Sequence, residues 1–345
     1  MKFDFCIGNP PYQGDNHQQL YPSFYVQSQK IANCVELIFP TGWQSPKNAN
    51  NLRLLNNKDI KEDVQIVFID NKHNVFQGIL GAEWTNVVMW KKGHDNGLNG
   101  KQKIFTNGSD PKIEHLNFSN QQINKPSELI ELYELIKKHG EFKSLSTIVS
   151  SRKPYGLSTD IMTNAAKYGL KPLQDIKNVP TDITVYCKGY DVKYVPYDYE
   201  LPKTTKSMGK YKVFVPYAWG NMSEKAGLGG AFSNVIIAKP NEICTESYLE
   251  SGCFDDINTA KKHAKYFMTK FLRALLYINK FSQHSTTAWG AIPIQDYSET
   301  WWSKSIADID IELMKKYQIP DRIANFVFDN IQTKTEANIV NYKED

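Results

Sequence analysis

Arginine is nearly missing from this chain. Arg53, Arg152, Arg273 and Arg322 are all it has, among 41 basic residues in a length of 345. Those basic residues face 37 acidic ones, a net charge of +4, so bulk charge supplies no general affinity for nucleic acid and any such contact needs a local basic face. Cysteine is sparse too: Cys6, Cys34, Cys187, Cys244 and Cys253 include no CxxC pair. That argues against a thiolate zinc site and for reduced, mostly buried thiols of a cytosolic protein. The seven histidines are scattered without ligand spacing. No apolar run approaches the roughly 18 residues of a membrane span, and Met1-Lys2 leads straight into a strand pattern, with no signal peptide between. Asp308, Asp310 and Glu312 are spaced by two in a helical pattern, so consecutive members do not share a face, which argues against a paired-carboxylate nuclease site. What remains is a globular composition, 41% hydrophobic and 12% aromatic, long enough for two domains with real cores.

The most informative segment is Asn9-Pro10-Pro11-Tyr12, which ends a strand pattern expected to be buried, Lys2 to Ile7. An exocyclic ring amine such as N6 of adenine is a poor nucleophile because its lone pair is delocalised into the ring. Two acceptors aimed at its N–H bonds localise that pair and stabilise the charge that develops in methyl transfer. The Asn9 side-chain carbonyl and the Pro10 main-chain carbonyl are the candidate acceptors. Consecutive prolines stiffen the loop, and Tyr12 offers a ring face for stacking. The bland alternative is a strand terminated by Pro-Pro, with Asn9 as a turn residue.

The following pattern predicts a helix from Tyr21 to Ala32 with Phe24, Ile31 and Ala32 partly in register, then strands at Cys34–Phe39, Val64–Ile69 and Trp84–Trp90. The tetrapeptide and this order resemble the adenine-N6-specific DNA methyltransferases, in particular the Eco57I-like restriction-modification methylases. The resemblance implies an α/β fold: the second half of a Rossmann-like methyltransferase sheet, followed by an α+β target-recognition domain. It implies Asn9, Pro10 and Tyr12 as catalytic residues, and Phe76, in Asn74-Val75-Phe76-Gln77-Gly78, as the aromatic that stacks on an extruded adenine. It also implies S-adenosylmethionine as methyl donor, touched here by Asn9 and Pro11. The Gly-rich turn that should hold this cofactor does not precede Asn9, and Gly227-Leu228-Gly229-Gly230 stands before a strand rather than after one. The expectation is therefore a truncated or split enzyme: a partial catalytic domain over 1–110, its cofactor half missing or carried by a second polypeptide.

A boundary is expected between Gly93 and Pro126, where His94 to Gly100 is rich in Asn-Gly turn chemistry. A helix capped by Ser127 and running to about Lys138 then opens a domain over 126–345. Segments resembling the family's target-recognition regions include Ser151 to Leu157, Tyr211 to Pro216 and Thr245 to Leu249. Double-stranded DNA is the implied partner. Arg152 and Lys153, beside Tyr155, suit a backbone clamp or groove entry, and Lys210 and Lys212 belong to a basic cluster that either meets phosphates or is simply solvated. Lys261 to Lys280 predicts one amphipathic helix whose basic side, with Lys262, Lys265 and Arg273, faces phosphate or solvent. Gln283 to Thr287 is a polar loop that either reads bases or merely connects. Two further classes stay open: a non-catalytic DNA-recognition remnant, and a methyltransferase acting on protein glutamine.

Overall fold

In the computed structural model, residues 2–12, 14–15, 19–40, 64–70, 85–91, 102–106, 112–114, 126–217, 233–278 and 288–343 are described. They fall into two units, Met1–Pro126 and Ser127–Asp345.

In the first unit, β1 (Phe3–Gly8), α1 (Tyr21–Ile31), β2 (Ala32–Pro40), β3 (Val64–Asp70) and β4 (Thr85–Lys91) follow in the expected order. β2 alternates as a half-buried strand should: Val35, Leu37 and Phe39 are buried, while Cys34, Glu36 and Ile38 are less so. Tyr21 and Tyr25 of α1 pack on Phe39 with ring centroids 5.1 and 5.6 Å away, contacts worth about 1 kcal/mol each beyond their buried area. The sheet is mixed, in the order β1-β2-β4-β3-β5-β6, and ends on two strands that the sequence pattern does not signal, β5 (Gln102–Thr106) and β6 (Lys112–Glu114). Among the described residues of this sheet, β1–β2 and β3–β5 pair in parallel, and β4 returns antiparallel between β2 and β3. Two expectations are corrected, the burial of β1 and the inward face of α1. β1 is not buried: it ends the strand order, and Phe3, Phe5 and Ile7, alternating onto one face, are 62%, 68% and 73% exposed. In α1 the inward residues are Tyr21, Tyr25 and Ser28, not Phe24 and Ile31, and Ala32 already belongs to β2.

The second unit opens with α2 (Ser127–Lys138), whose Leu129, Leu132 and Ile136 are fully buried. Two sheets follow. β9 (Tyr211–Pro216) lies between β12 (Tyr248–Phe254) and β10 (Val235–Ala238), with β13 (Ile339–Val340) beyond β10. β7 (Ile183–Tyr186) lies between β11 (Glu242–Cys244) and β8 (Val192–Val195). Their inner residues share one core, including Val185, Cys187, Phe214, Ile236 and Cys244. β12 is kinked between Ser251 and Phe254. Gly252 sits there at φ 81°, and a Cβ would lie 2.2 Å from the Phe254 ring, so only glycine fits this bulge.

The single helix expected over 261–280 is two: α3 (Ile257–Met268) and α4 (Lys270–Ile278), separated by Thr269 in extended conformation. The reason is a second set of caps. The buried Asp310 carboxylate accepts from the backbone N–H of Lys270 (2.9 Å) and Phe271 (2.8 Å), and Thr269 Oγ1 accepts from Leu272 N (3.2 Å), so α4 starts anew. Burial pushes the Asp310 carboxyl up to about 6, although these two amides pull the other way. The expected basic side is also corrected. Lys265 and Arg273 are 6% and 2% exposed and donate to the carbonyls of Lys304 and Gln332, so they cannot track phosphates. α5 (Ile306–Lys316), capped by Ser305, and α6 (Asp321–Asn330) close the unit.

Candidate functional site

In the first unit, β1 delivers Asn9-Pro10-Pro11-Tyr12 to the carboxyl end of a parallel strand pair, beside Pro40 at the end of β2. Carboxyl ends of parallel strands are where open α/β sheets hold ligands. Asn9 and Pro11 are exposed, Pro10 is buried and Tyr12 half-buried against the core. The Tyr12 carbonyl accepts from Leu20 N at 3.0 Å, which ties the loop to the start of α1. The Tyr12 hydroxyl is enclosed, with no partner of good hydrogen-bond geometry among the described residues. Burial raises its pKa, and the adjacent Asn9 side chain opposes that shift. Asn9 and Pro11 can both touch a ligand at the strand end, but one amide and one pyrrolidine ring are too few contacts to hold S-adenosylmethionine by themselves. Phe76 lies outside the described residues, as do Gly227 to Gly230 and Gln283 to Thr287.

In the second unit, segment 148–158 is stitched onto β12: Gly252 N donates to the Ile148 carbonyl, Ser150 N to that of Glu250, and Glu246 N to that of Leu157. This splits the expected DNA-contacting residues three ways. Arg152 and Lys153 converge on one carboxylate, Glu246, at 2.8 and 3.5 Å, while Glu246 Oε1 accepts from Thr159 N at 3.0 Å. The Arg152 guanidinium lies 5.0 Å from the centre of the Tyr217 ring, a cation–π distance. Lys153 holds a left-handed backbone (φ 58°) and donates to Ser158 Oγ at 2.7 Å.

Tyr155 and Lys212 point the other way, and their expected place at a DNA surface is corrected. Both are 0% exposed. The Tyr155 hydroxyl donates to the buried Glu250 carboxylate, which also accepts from Ser207 and Thr205. Burial pushes the Tyr155 phenol far up, and Glu250 adds to it. Lys212 Nζ donates to the carbonyls of Met208, Lys210 and Lys239 at 3.0 to 3.2 Å. Burial lowers its pKa to about 8, against the pull of Glu250 and Glu242. The physical reason is common to both: a carboxylate and three carbonyls inside the unit satisfy polar groups that the sequence pattern assigns to the surface. Lys210 is exposed and paired with Asp255, which raises its pKa.

A cavity of about 350 Å³ opens beside Arg152, lined also by Lys188, Tyr190, Tyr217, Glu246 and Tyr248. Sequence reasoning places Glu246 and Tyr248 in a recognition segment without a role and misses Lys188, Tyr190 and Tyr217. Nothing local to positions 152 and 246 signals that they meet. Among the described residues, no group of His, Cys, Asp or Glu could hold a metal ion, and no helix is long and apolar enough to cross a membrane.

No family model and no curated protein matches the chain. Among solved structures it is similar to the type IIL restriction-modification enzyme MmeI in complex with DNA (TM-score 0.47, 10% identity, 97% of this chain and 55% of that one). It is also similar to the type IIG restriction endonuclease BpuSI (TM-score 0.35, 10% identity, 90% and 45%). A third is the ATP-dependent type ISP restriction-modification enzyme LlaBIII bound to DNA (TM-score 0.32, 12% identity, 72% and 24%). The chain spans about half the length of the first two.

Proposed function

We propose that this chain is the part of a DNA adenine-N6 methyltransferase of a restriction-modification system that carries the amine-binding loop and the target-recognition domain. The observation that carries this is the position of Asn9-Pro10-Pro11-Tyr12 at the carboxyl end of β1, parallel to β2, with Asn9 exposed on a loop held by a buried proline. There the Asn9 carboxamide and the Pro10 carbonyl would accept the two N–H bonds of an extruded adenine and direct the nitrogen lone pair outward. Tyr12 would bound the base on one side, with Phe76 as the stacking partner. S-adenosylmethionine, held by this chain or by a second polypeptide, supplies the methyl group. The adenine amine has to shed a proton once the new N–C bond forms, and the acceptor pair lowers the energy of that cationic intermediate.

The test has two readouts on one variant. Asn9→Ala is expected to lower methyl transfer to duplex DNA by a factor of about 100 or more, the scale of losing one oriented acceptor, and to leave DNA affinity within twofold. Unchanged transfer in Asn9→Ala, measured with the companion polypeptide present where the wild-type chain requires one, rejects the proposed role. Calorimetric titration of S-adenosylmethionine into the chain alone, then with that companion, separates a self-sufficient enzyme from a split one.

A further inference from the structure

We infer that Arg152 reads a guanine in the target sequence, held in position by Glu246 and Tyr217; this rests on the DNA-recognition role proposed above and names the base chemistry of that site. The first ground is economy of residue type. This chain meets almost every need for a cation with lysine, and only four of its 41 basic residues are arginines. Arg273 is buried on the Gln332 carbonyl, and Arg322 pairs with Glu131 on the surface. At 152 the guanidinium is neither buried nor merely solvated: its side chain is 52% exposed, one nitrogen pairs with Glu246 at 2.8 Å, and its central carbon lies 5.0 Å from the centre of the Tyr217 ring. A phosphate can be met by the point charge of a lysine, although the arginine fork also grips it bidentately. A guanine edge presents two acceptors, O6 and N7, that match the planar fork of arginine.

The second ground is that the site is built in advance. Glu246 is only 12% exposed and is held through its other oxygen by Thr159 N. The loop beneath is anchored by buried Pro154 and Tyr155. It turns at Gly156 (φ 76°), where a Cβ would lie 2.6 Å from Pro202. An arginine so held has little rotamer freedom left to lose on binding. The ion pair with Glu246 is the one polar contact of the guanidinium among the described residues, and the side chain borders the cavity.

The third ground is what the neighbours do not do. Lys153 is turned back onto Ser158 and Glu246, so the loop itself presents one cation, with Lys188 as the other lysine bordering the cavity. Glu246 halves the local charge of the Arg152–Lys153 pair, from +2 to +1. A phosphate clamp would be weakened by that carboxylate, whereas directional reading of a base edge gains orientation from it.

The experiment is selection of randomised DNA duplexes on the full chain, for the wild type, Arg152→Lys, Arg152→Ala and Glu246→Gln, with circular dichroism confirming that each is folded. The expected result is a wild-type motif in which one guanine is lost selectively in both Arg152 variants. Preference for that base should fall about 10- to 100-fold, the worth of one bidentate contact, while every other position is retained. Glu246→Gln should weaken the same position to a smaller degree. Uniformly weaker binding with an unchanged motif and a salt dependence shallower by about one charge would make Arg152 a phosphate contact and overturn the inference while leaving the DNA-recognition reading intact. A wild-type chain that retains no duplex, alone or with the companion polypeptide, would overturn both.

Discussion

Glu246 and Glu250 stand four residues apart on the approach to β12 and along it, and each gathers residues from the same loop, in opposite senses. Glu246 takes Arg152 and Lys153 and keeps them at the surface beside the cavity. Glu250 takes the Tyr155 hydroxyl, with Ser207 and Thr205, and keeps them inside, close to the buried Lys212. The first carboxylate holds charge at the surface; the second neutralises polarity so that the strands can pack. Basic and aromatic residues adjacent in sequence thus divide between surface and interior according to which carboxylate they meet.

Substitutions should separate the two carboxylates. The largest effect is expected inside. Glu250→Gln removes the charge that compensates buried Lys212 and weakens three hydroxyl contacts, at a cost of about 3 kcal/mol, read from the urea midpoint of unfolding. Lys212 also gives the second unit a pH signature. Its folded pKa, about 8, lies below its ordinary value of 10.5, so between these the unfolded chain holds more protons and stability rises with pH. Above about pH 10 the buried phenols of Tyr155, Tyr248 and Tyr277, all pushed up by burial, reverse the slope. In Glu250→Gln the rise should begin below pH 8, because a carboxylate that raises the Lys212 pKa is gone. A Glu250→Gln variant as stable as wild type, with the same pH profile, would break the contrast.

Next comes Tyr155→Phe, which deletes one buried hydroxyl on a carboxylate and is expected to cost about 2 kcal/mol, measured by thermal unfolding, with DNA affinity unchanged once the folded fraction is equal. A selective loss of DNA binding would return Tyr155 to the interface. The smallest effect is that of Lys210→Ala. Its exposed pairing with Asp255 should contribute nothing measurable to stability, and a decrease in DNA affinity of no more than about threefold at moderate salt is the most one peripheral phosphate contact would give.

What the sequence reveals follows the range of the forces involved. The strands around α1 are legible because alternation and a proline-marked turn are local signals, and α2 starts at Ser127, one residue earlier than its expected role as cap implies, and ends at Lys138. Legibility fails where a partner is distant. The break at Thr269 depends on Asp310, the burial of Lys212 on carbonyls from Met208 to Lys239, and the inward turn of Tyr155 on Glu250. β5 and β6 were hidden because Asn-Gly turns flank them closely. The loop at Asn9 is legible as the end of β1, since paired prolines after a strand pattern are a local signal; the pairing of Arg152 with Glu246 is not, because 94 positions separate two ordinary residues.

The two caps at the start of α4 also bear on how the chain folds. One of them comes from a side chain 40 positions downstream, so the first turn of α4 lacks its full set of acceptors until α5 has arrived. A helix started this way is tied to the closure of a long loop and not to its own propensity. α4 therefore depends on α5 for the capping of its first turn, while α3 carries its own cap in Asp256.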